Sequence, residues 1–175
     1  MTTPEIPGRC KRAVFPRWLA PIYFAVVGPL VLGVAPWGLS LLSARHGWVA
    51  GRPGPLNLFS LILVGAGSAC IIWIIALHWV RAPDGWDLET TPKYLLVRGP
   101  YKVTRNPIYI SVLTILLGWT LFYGSVAVLC GMLVFWMFYA FVMVPWEERK
   151  LEARFGEAYR HYKSAVPRWV GRNRR

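Results

Sequence analysis

Three short clusters carry the polar side chains of this chain that could do chemistry next to long apolar runs. Arg98-Gly99-Pro100-Tyr101 and Arg105-Asn106-Pro107-Ile108-Tyr109 lead into one such run, and Glu147-Glu148 leaves another. Tyrosine hydroxyls, an amide and guanidinium groups donate to a carboxylate or phosphate, whereas paired carboxylates accept from a diol or an ammonium group. Asn106-Pro107 reads as a helix start, with Asn at the cap and Pro at the first position, and a helix start has free N–H groups for an anion. Glu147-Glu148 also has a plainer reading, as solvated charge that suits the positive end of a surface helix. His78 has no second metal ligand near it in sequence and reads as an interfacial polar residue. Cys10, Cys70 and Cys130 lack metal-ligand spacing, so neither a metal nor a disulfide is expected.

These clusters need elements to hold them, and the composition limits what those can be. The 175 residues make one domain, 55% of them hydrophobic and only 16% charged. That leaves too little polar surface for a soluble domain. A helix needs roughly 20 mostly apolar residues to cross a bilayer. Residues 18–42, 56–80 and 125–146 meet or approach that length, and a fourth run, 109–123, is shorter. Only Gly124 and Ser125 separate the last two runs, which reads as a tight helical hairpin. The expectation is an all-α polytopic membrane protein with about four transmembrane helices, a loop at 81–108 and an amphipathic tail helix at 147–163. Pro21, Pro29 and Pro36 predict a kinked first span. That span is too long for a signal peptide and has a poor cleavage site beside Arg45, so it reads as an uncleaved anchor. In the tail, Leu151, Phe155, Tyr159, Tyr162 and Val166 recur at helical spacing and form one apolar stripe. Such a helix lies on the membrane surface or packs as a lid over a site there.

The net charge of +12 raises the possibility of nucleic acid, but its distribution points elsewhere. With four spans, 18 of the 20 Lys and Arg residues fall on the side shared by both termini and the 81–108 loop. Cytoplasmic loops retain Lys and Arg, so both termini and that loop are expected in the cytoplasm. The basic excess then marks topology and contact with anionic lipid heads, and no nucleic-acid partner is expected. Trp18, Trp48, Trp79, Trp86, Trp146 and Trp169 lie near span ends, where interfacial anchors belong. The hairpin's open end brings the Asn106 and Glu147-Glu148 clusters together on the same face.

The stretch Tyr94-Leu-Leu-Val-Arg-Gly-Pro-Tyr-Lys-Val-Thr-Arg-Asn-Pro-Ile-Tyr109 resembles the signature of the isoprenylcysteine carboxyl methyltransferase and phospholipid methyltransferase superfamily. Pro107 is followed by eight residues and Leu116, and later by Glu147-Glu148. Phe155-Gly156-Glu157, Tyr159, Tyr162 and Val166-Pro167-Arg168 are also similar to the superfamily's C-terminal stretch. The likeness covers roughly residues 83–170. It implies S-adenosylmethionine as cofactor, bound by Lys93, Tyr94, Leu95, Leu96, Tyr101, Asn106, Pro107 and Tyr109, with Glu147 or Glu148 closing the site. Gly65 and Gly67 resemble, more weakly, a Gly-x-Gly of phospholipid methyltransferases; small residues so spaced also allow close helix packing.

Two departures shape the reading. Many relatives carry His where this chain has Asn106, which favours binding over proton transfer at that position. Prenylcysteine enzymes carry an Arg ahead of the glutamates, where this chain has Met143, Val144 and Pro145. The implied reaction is methyl transfer to a lipophilic or small-molecule acceptor, either a carboxylate or an amine, at the cytoplasmic face, with no catalytic residue assigned. Two alternatives stay open: a membrane reductase of sterol-reductase type using NADPH, and a non-catalytic scaffold that keeps the fold.

Overall fold

The computed structural model describes residue 26, residues 28–81 and residues 95–170. Residues 82–94 of the 81–108 loop, Lys93 and Tyr94 among them, and nearly all of the first run before Gly28 lie outside the described residues. What is described is mostly helical. In chain order it comprises α1 (Leu30–Ser40), α2 (Pro55–Phe59), α3 (Leu61–Arg81), α4 (Pro107–Tyr123), α5 (Val126–Phe138), α6 (Val144–Phe155) and α7 (Glu157–Ala165). Contrary to the all-helical expectation, a small antiparallel ribbon pairs β1 (Trp48–Val49) with β2 (Arg52–Pro53). Ala50 and Gly51, both at positive φ, make the turn, a geometry suited to two-residue hairpins.

Two helical stretches, Pro55–His78 and Val126–Phe155, are long and apolar enough to cross a bilayer, while Leu30–Ser40 and Pro107–Tyr123 are shorter apolar helices. Their outer faces carry Leu56, Phe59, Ile62, Ile72, Val134 and Phe141 in the open. In water so much exposed apolar surface would be a liability. Together with the apolar helices it suggests an integral membrane protein.

Proline and glycine set the helix boundaries. Gly54 is extended and Pro55 opens α2; Asn106 leaves helical geometry and Pro107 opens α4. Gly124, in the left-handed region at φ +56, ends α4, and the Ser125 hydroxyl accepts from the Val128 N–H to start α5. A Cβ at Gly124 would strike the His46 carbonyl, so only glycine fits there. Two π-turns, Leu30–Val34 and Tyr139–Met143, each lie just before a proline, Pro36 and Pro145. Proline has no N–H and its ring crowds the carbonyl four residues back, so the helix widens to accommodate it.

α3 and α4 cross closely where Gly67 meets Ser111 and Ile115, and where Gly118 meets Leu63 and Val64. Ile74 and Ile115, both almost fully buried, belong to these same two helices. At the far end of α4 a polar knot satisfies carbonyls that the helix leaves open. The Asn57 amide donates to the carbonyls of Leu121 (2.9 Å), Phe122 (3.0 Å) and His46 (3.2 Å), and Trp48 Nε1 donates to Phe122 (2.8 Å). Arg45 lies over the Trp48 and Tyr123 rings. Replacing Asn57 by Leu is expected to cost about 1–3 kcal/mol, the usual penalty for stranding buried hydrogen-bonding groups. Thermal unfolding in detergent checks this, and an unchanged midpoint would remove Asn57 as a cap.

The tail departs from the single helix expected over 147–163. Gly156, at φ +52, breaks it into α6 and α7. The apolar stripe persists across the break but turns onto the chain itself. Tyr159, Tyr162 and Val166 are buried, and Leu95, Leu151 and Phe155 pack against them. Lys163 and Arg160 reach back from α7 to Glu152 on α6 (both 3.2 Å), and their hydrogen bonds hold its carboxyl below the usual range.

Candidate functional site

α4 begins, α6 begins and Arg168 of the tail lies within one region at the polar end of the helices. The segment that leads into α4 is held from two sides. Tyr101, in a 3₁₀ turn spanning Gly99–Lys102, shares a hydrogen bond with His78 Nε2 of α3 (3.0 Å), the two rings edge to face. From the tail, the Tyr162 hydroxyl donates to the Tyr101 carbonyl (2.7 Å). Burial pushes the Tyr162 phenol up to about 12, with Tyr159 beside it adding to the shift, so it remains a donor across the physiological range.

Glu147 and Glu148 are neighbours in sequence with different surroundings. Glu148 is only 5% exposed. Its Oε1 accepts from Arg105 Nη1 (2.7 Å) and Arg168 Nε (3.1 Å), and its Oε2 from Arg168 Nη2 (2.5 Å). The hydrogen bonds to Glu148 raise the Arg168 guanidinium further above its already high value. Glu147, by contrast, is exposed, and its Oε2 accepts from the Tyr109 hydroxyl (3.0 Å). The Tyr109 ring lies 4.7 Å from that of Tyr139, which in turn stacks on Phe135 at 4.2 Å. Tyr139 opens the π-turn ahead of Pro145. Such turns often occur at functional sites because they re-aim one side chain.

Asn106 occupies the cap position of α4, but its side chain does not cap the helix. Its Nδ2 donates to the Arg168 carbonyl (2.9 Å), which the Thr104 hydroxyl also reaches (3.0 Å). The first-turn N–H groups of α4 therefore have no side-chain cap. Arg105 Nε is buried and has no hydrogen-bond partner among the described residues. Tyr159, almost fully buried, has its phenol raised by burial.

Of the residues expected to line the site, Tyr101, Asn106, Pro107, Tyr109, Glu147 and Glu148 come together here. Leu95 packs on the tail cluster and Leu96 is buried. Gly67 packs on α4, while Gly65 faces open space. The sequence reading left out Tyr139, and it treated Arg105 and Arg168 as parts of motifs or as topology charges, not as partners of Glu148. A tyrosine eight positions before Glu147, with a proline between them, was the only signal for the first. A separate cleft of about 500 Å³ lies at the opposite end of α4, lined by His46, Asn57, Thr120, Leu121 and Leu129 among others. Its lining is nearly all apolar and lacks a carboxylate, so it does not bear on this chemistry.

A model of the phospholipid methyltransferase family matches residues 57–158, more than half of the chain, and these include every residue of the cluster except the tail. The chain belongs to the phospholipid methyltransferase family. Membership suggests membrane methyltransferase activity. An uncharacterized protein of Haemophilus influenzae is 40% identical over 62 residues, covering 35% of this chain and 98% of that protein. No solved structure matches the chain.

Proposed function

We propose that this family member transfers a methyl group from S-adenosylmethionine to a lipophilic or membrane-associated acceptor, a carboxylate or an amine, at the cytoplasmic face. In this reading the four apolar runs all cross the bilayer and both termini are cytoplasmic. The observation that carries the proposal is the exposed Glu147 carboxylate, hydrogen-bonded to Tyr109 at the uncapped start of α4. The donor and acceptor set suits the cofactor. Glu147 can accept from a ribose diol or an α-ammonium group. The first-turn N–H groups of α4 and the orphaned Arg105 Nε–H can donate to a carboxylate. The faces of Tyr109 and Tyr139 suit a sulfonium cation.

When bound, the cofactor supplies an electrophilic methyl group, and no covalent enzyme intermediate is needed. The chain's own contribution is then orientation and exclusion of water. Tyr101, fixed by His78 and Tyr162, walls one side; Pro107 and Tyr109 present the helix start; Glu147 closes the other side. If the acceptor is a carboxylate, a dry site strengthens its attraction to the sulfonium.

Calorimetric titration of detergent-purified protein with S-adenosylmethionine, S-adenosylhomocysteine and NADPH tests this. Both adenosyl compounds are expected to bind and NADPH is not. Glu147→Gln should weaken S-adenosylhomocysteine binding by about 10-fold or more, the range of a lost charge-assisted hydrogen bond. Absence of binding by either adenosyl compound would overturn the reading, and binding of NADPH alone would replace it with a reductase.

A further inference from the structure

We propose that Arg168, beyond the stretch matched to the family, is a positioning residue that acts through Glu148 to aim Glu147 at the cofactor. The inference rests on the methyltransferase reading above and divides the glutamate pair into an anchor and a ligand. Adjacent residues on an α-helix point about 100° apart around its axis, so fixing one sets the direction of the next. Glu148 is the fixed one. Arg168 grips it with two nitrogens, Nε on Oε1 at 3.1 Å and Nη2 on Oε2 at 2.5 Å, while Arg105 Nη1 holds Oε1 at 2.7 Å. A fork of this kind fixes orientation in a way a single contact cannot. Arg105 stands just ahead of α4, so the clamp sets the roll of α6 against α4. Glu147 then meets Tyr109, on the first turn of α4, at 3.0 Å.

Arg168 is itself held firmly. Its carbonyl accepts from Thr104 Oγ1 and Asn106 Nδ2, and the preceding Pro167 carbonyl accepts from the Arg105 N–H (3.0 Å). The tail thus wraps the 104–106 turn with main chain and side chain together. The same contact holds the Asn106 side chain by its Nδ2, in an orientation in which its Oδ1 caps no N–H of α4. Arg168 therefore serves both halves of the site: it directs the carboxylate and leaves the helix start open.

The test is a double-mutant cycle on the full-length protein in detergent, read as S-adenosylhomocysteine affinity by calorimetry. Arg168→Gln alone should weaken binding about 10-fold, and Arg168→Lys, which keeps the charge and loses the fork, should fall between it and the native protein. In a Glu147→Gln background, Arg168→Gln should produce little further loss, because the residue it positions is already gone. Phe155→Ala, which loosens the same tail cluster without touching Glu148 or Tyr101, should leave affinity within about 2-fold. Tryptic protection of the tail identifies variants that fold. If Arg168→Gln does not fold, the cycle is run with Arg168→Lys. Equal losses in both backgrounds, or an effect matched by Phe155→Ala, would make Arg168 a merely structural residue and overturn the inference. Native protein that binds neither adenosyl compound would instead sink the methyltransferase reading, and this inference with it.

Discussion

Glu148→Ala is expected to release the C-terminal tail and to cost about 3–5 kcal/mol, the range found when one member of a buried ion pair is removed. The reason lies in what remains. Arg105 keeps a side chain only 9% exposed and loses its carboxylate, while Arg168 loses both contacts of its fork. A buried guanidinium cannot shed its proton to escape, as a lysine could. The chain can relieve the charge only by letting water in, which means separating the tail from the 104–106 turn. Tyr159, Tyr162 and Val166 would lose their packing against Leu95 together with it. The readout is limited trypsin digestion in detergent, with rapid cleavage after Arg154, Arg160 and Lys163, alongside loss of the low-temperature part of the unfolding transition. Glu148→Gln keeps the shape and two hydrogen-bonding atoms and should cost less. A Glu148→Ala protein with native tryptic resistance would show that the triad contributes little.

This result also bears on what was legible in the sequence. Glu147 and Glu148 are identical letters, and no property of the sequence tells which becomes the anchor. That is decided by the angular position of each on α6 and by two arginines 43 positions before and 20 positions after Glu148. Local signals fared better. Asn106-Pro107 marked the start of α4, Gly124-Ser125 marked its end, and the tail stripe named the residues that do become buried. What the stripe could not convey was its partner: an apolar face suits a bilayer or Leu95 equally well. Gly156 escaped notice as a break because one glycine within a strong helical period carries little weight; its positive φ is a tertiary outcome. Asn106 shows the opposite limit. Its type matched its cap position, yet its Nδ2 donates to the Arg168 carbonyl and its Oδ1 caps no N–H of α4.

The two glycines of the Gly65-Ala66-Gly67 stretch provide the sharpest contrast between packing and cofactor approach. A Cβ at Gly67 would lie 2.6 Å from Ile115 Cγ1 and 2.7 Å from the Ser111 carbonyl oxygen. The first could yield by a rotamer change, but the second is helix backbone, so α3 and α4 would have to move apart. Gly118 makes the reciprocal contact, 2.7 Å from Val64 Cγ2 and 3.0 Å from the Val64 nitrogen. Gly67→Val is therefore expected to destabilise the protein by about 1–3 kcal/mol or more through overpacking. Gly65 has nothing within 4 Å of its would-be Cβ, and Gly65→Ala should be neutral or gain up to about 1 kcal/mol from helix propensity. Thermal unfolding in detergent compares them directly, and S-adenosylhomocysteine titration separates the two roles. If Gly67 serves packing, Gly67→Ala should lower the midpoint, and affinity measured well below it should stay near native. Lost affinity at an unchanged midpoint would move Gly67 out of the helix crossing and into the cofactor site.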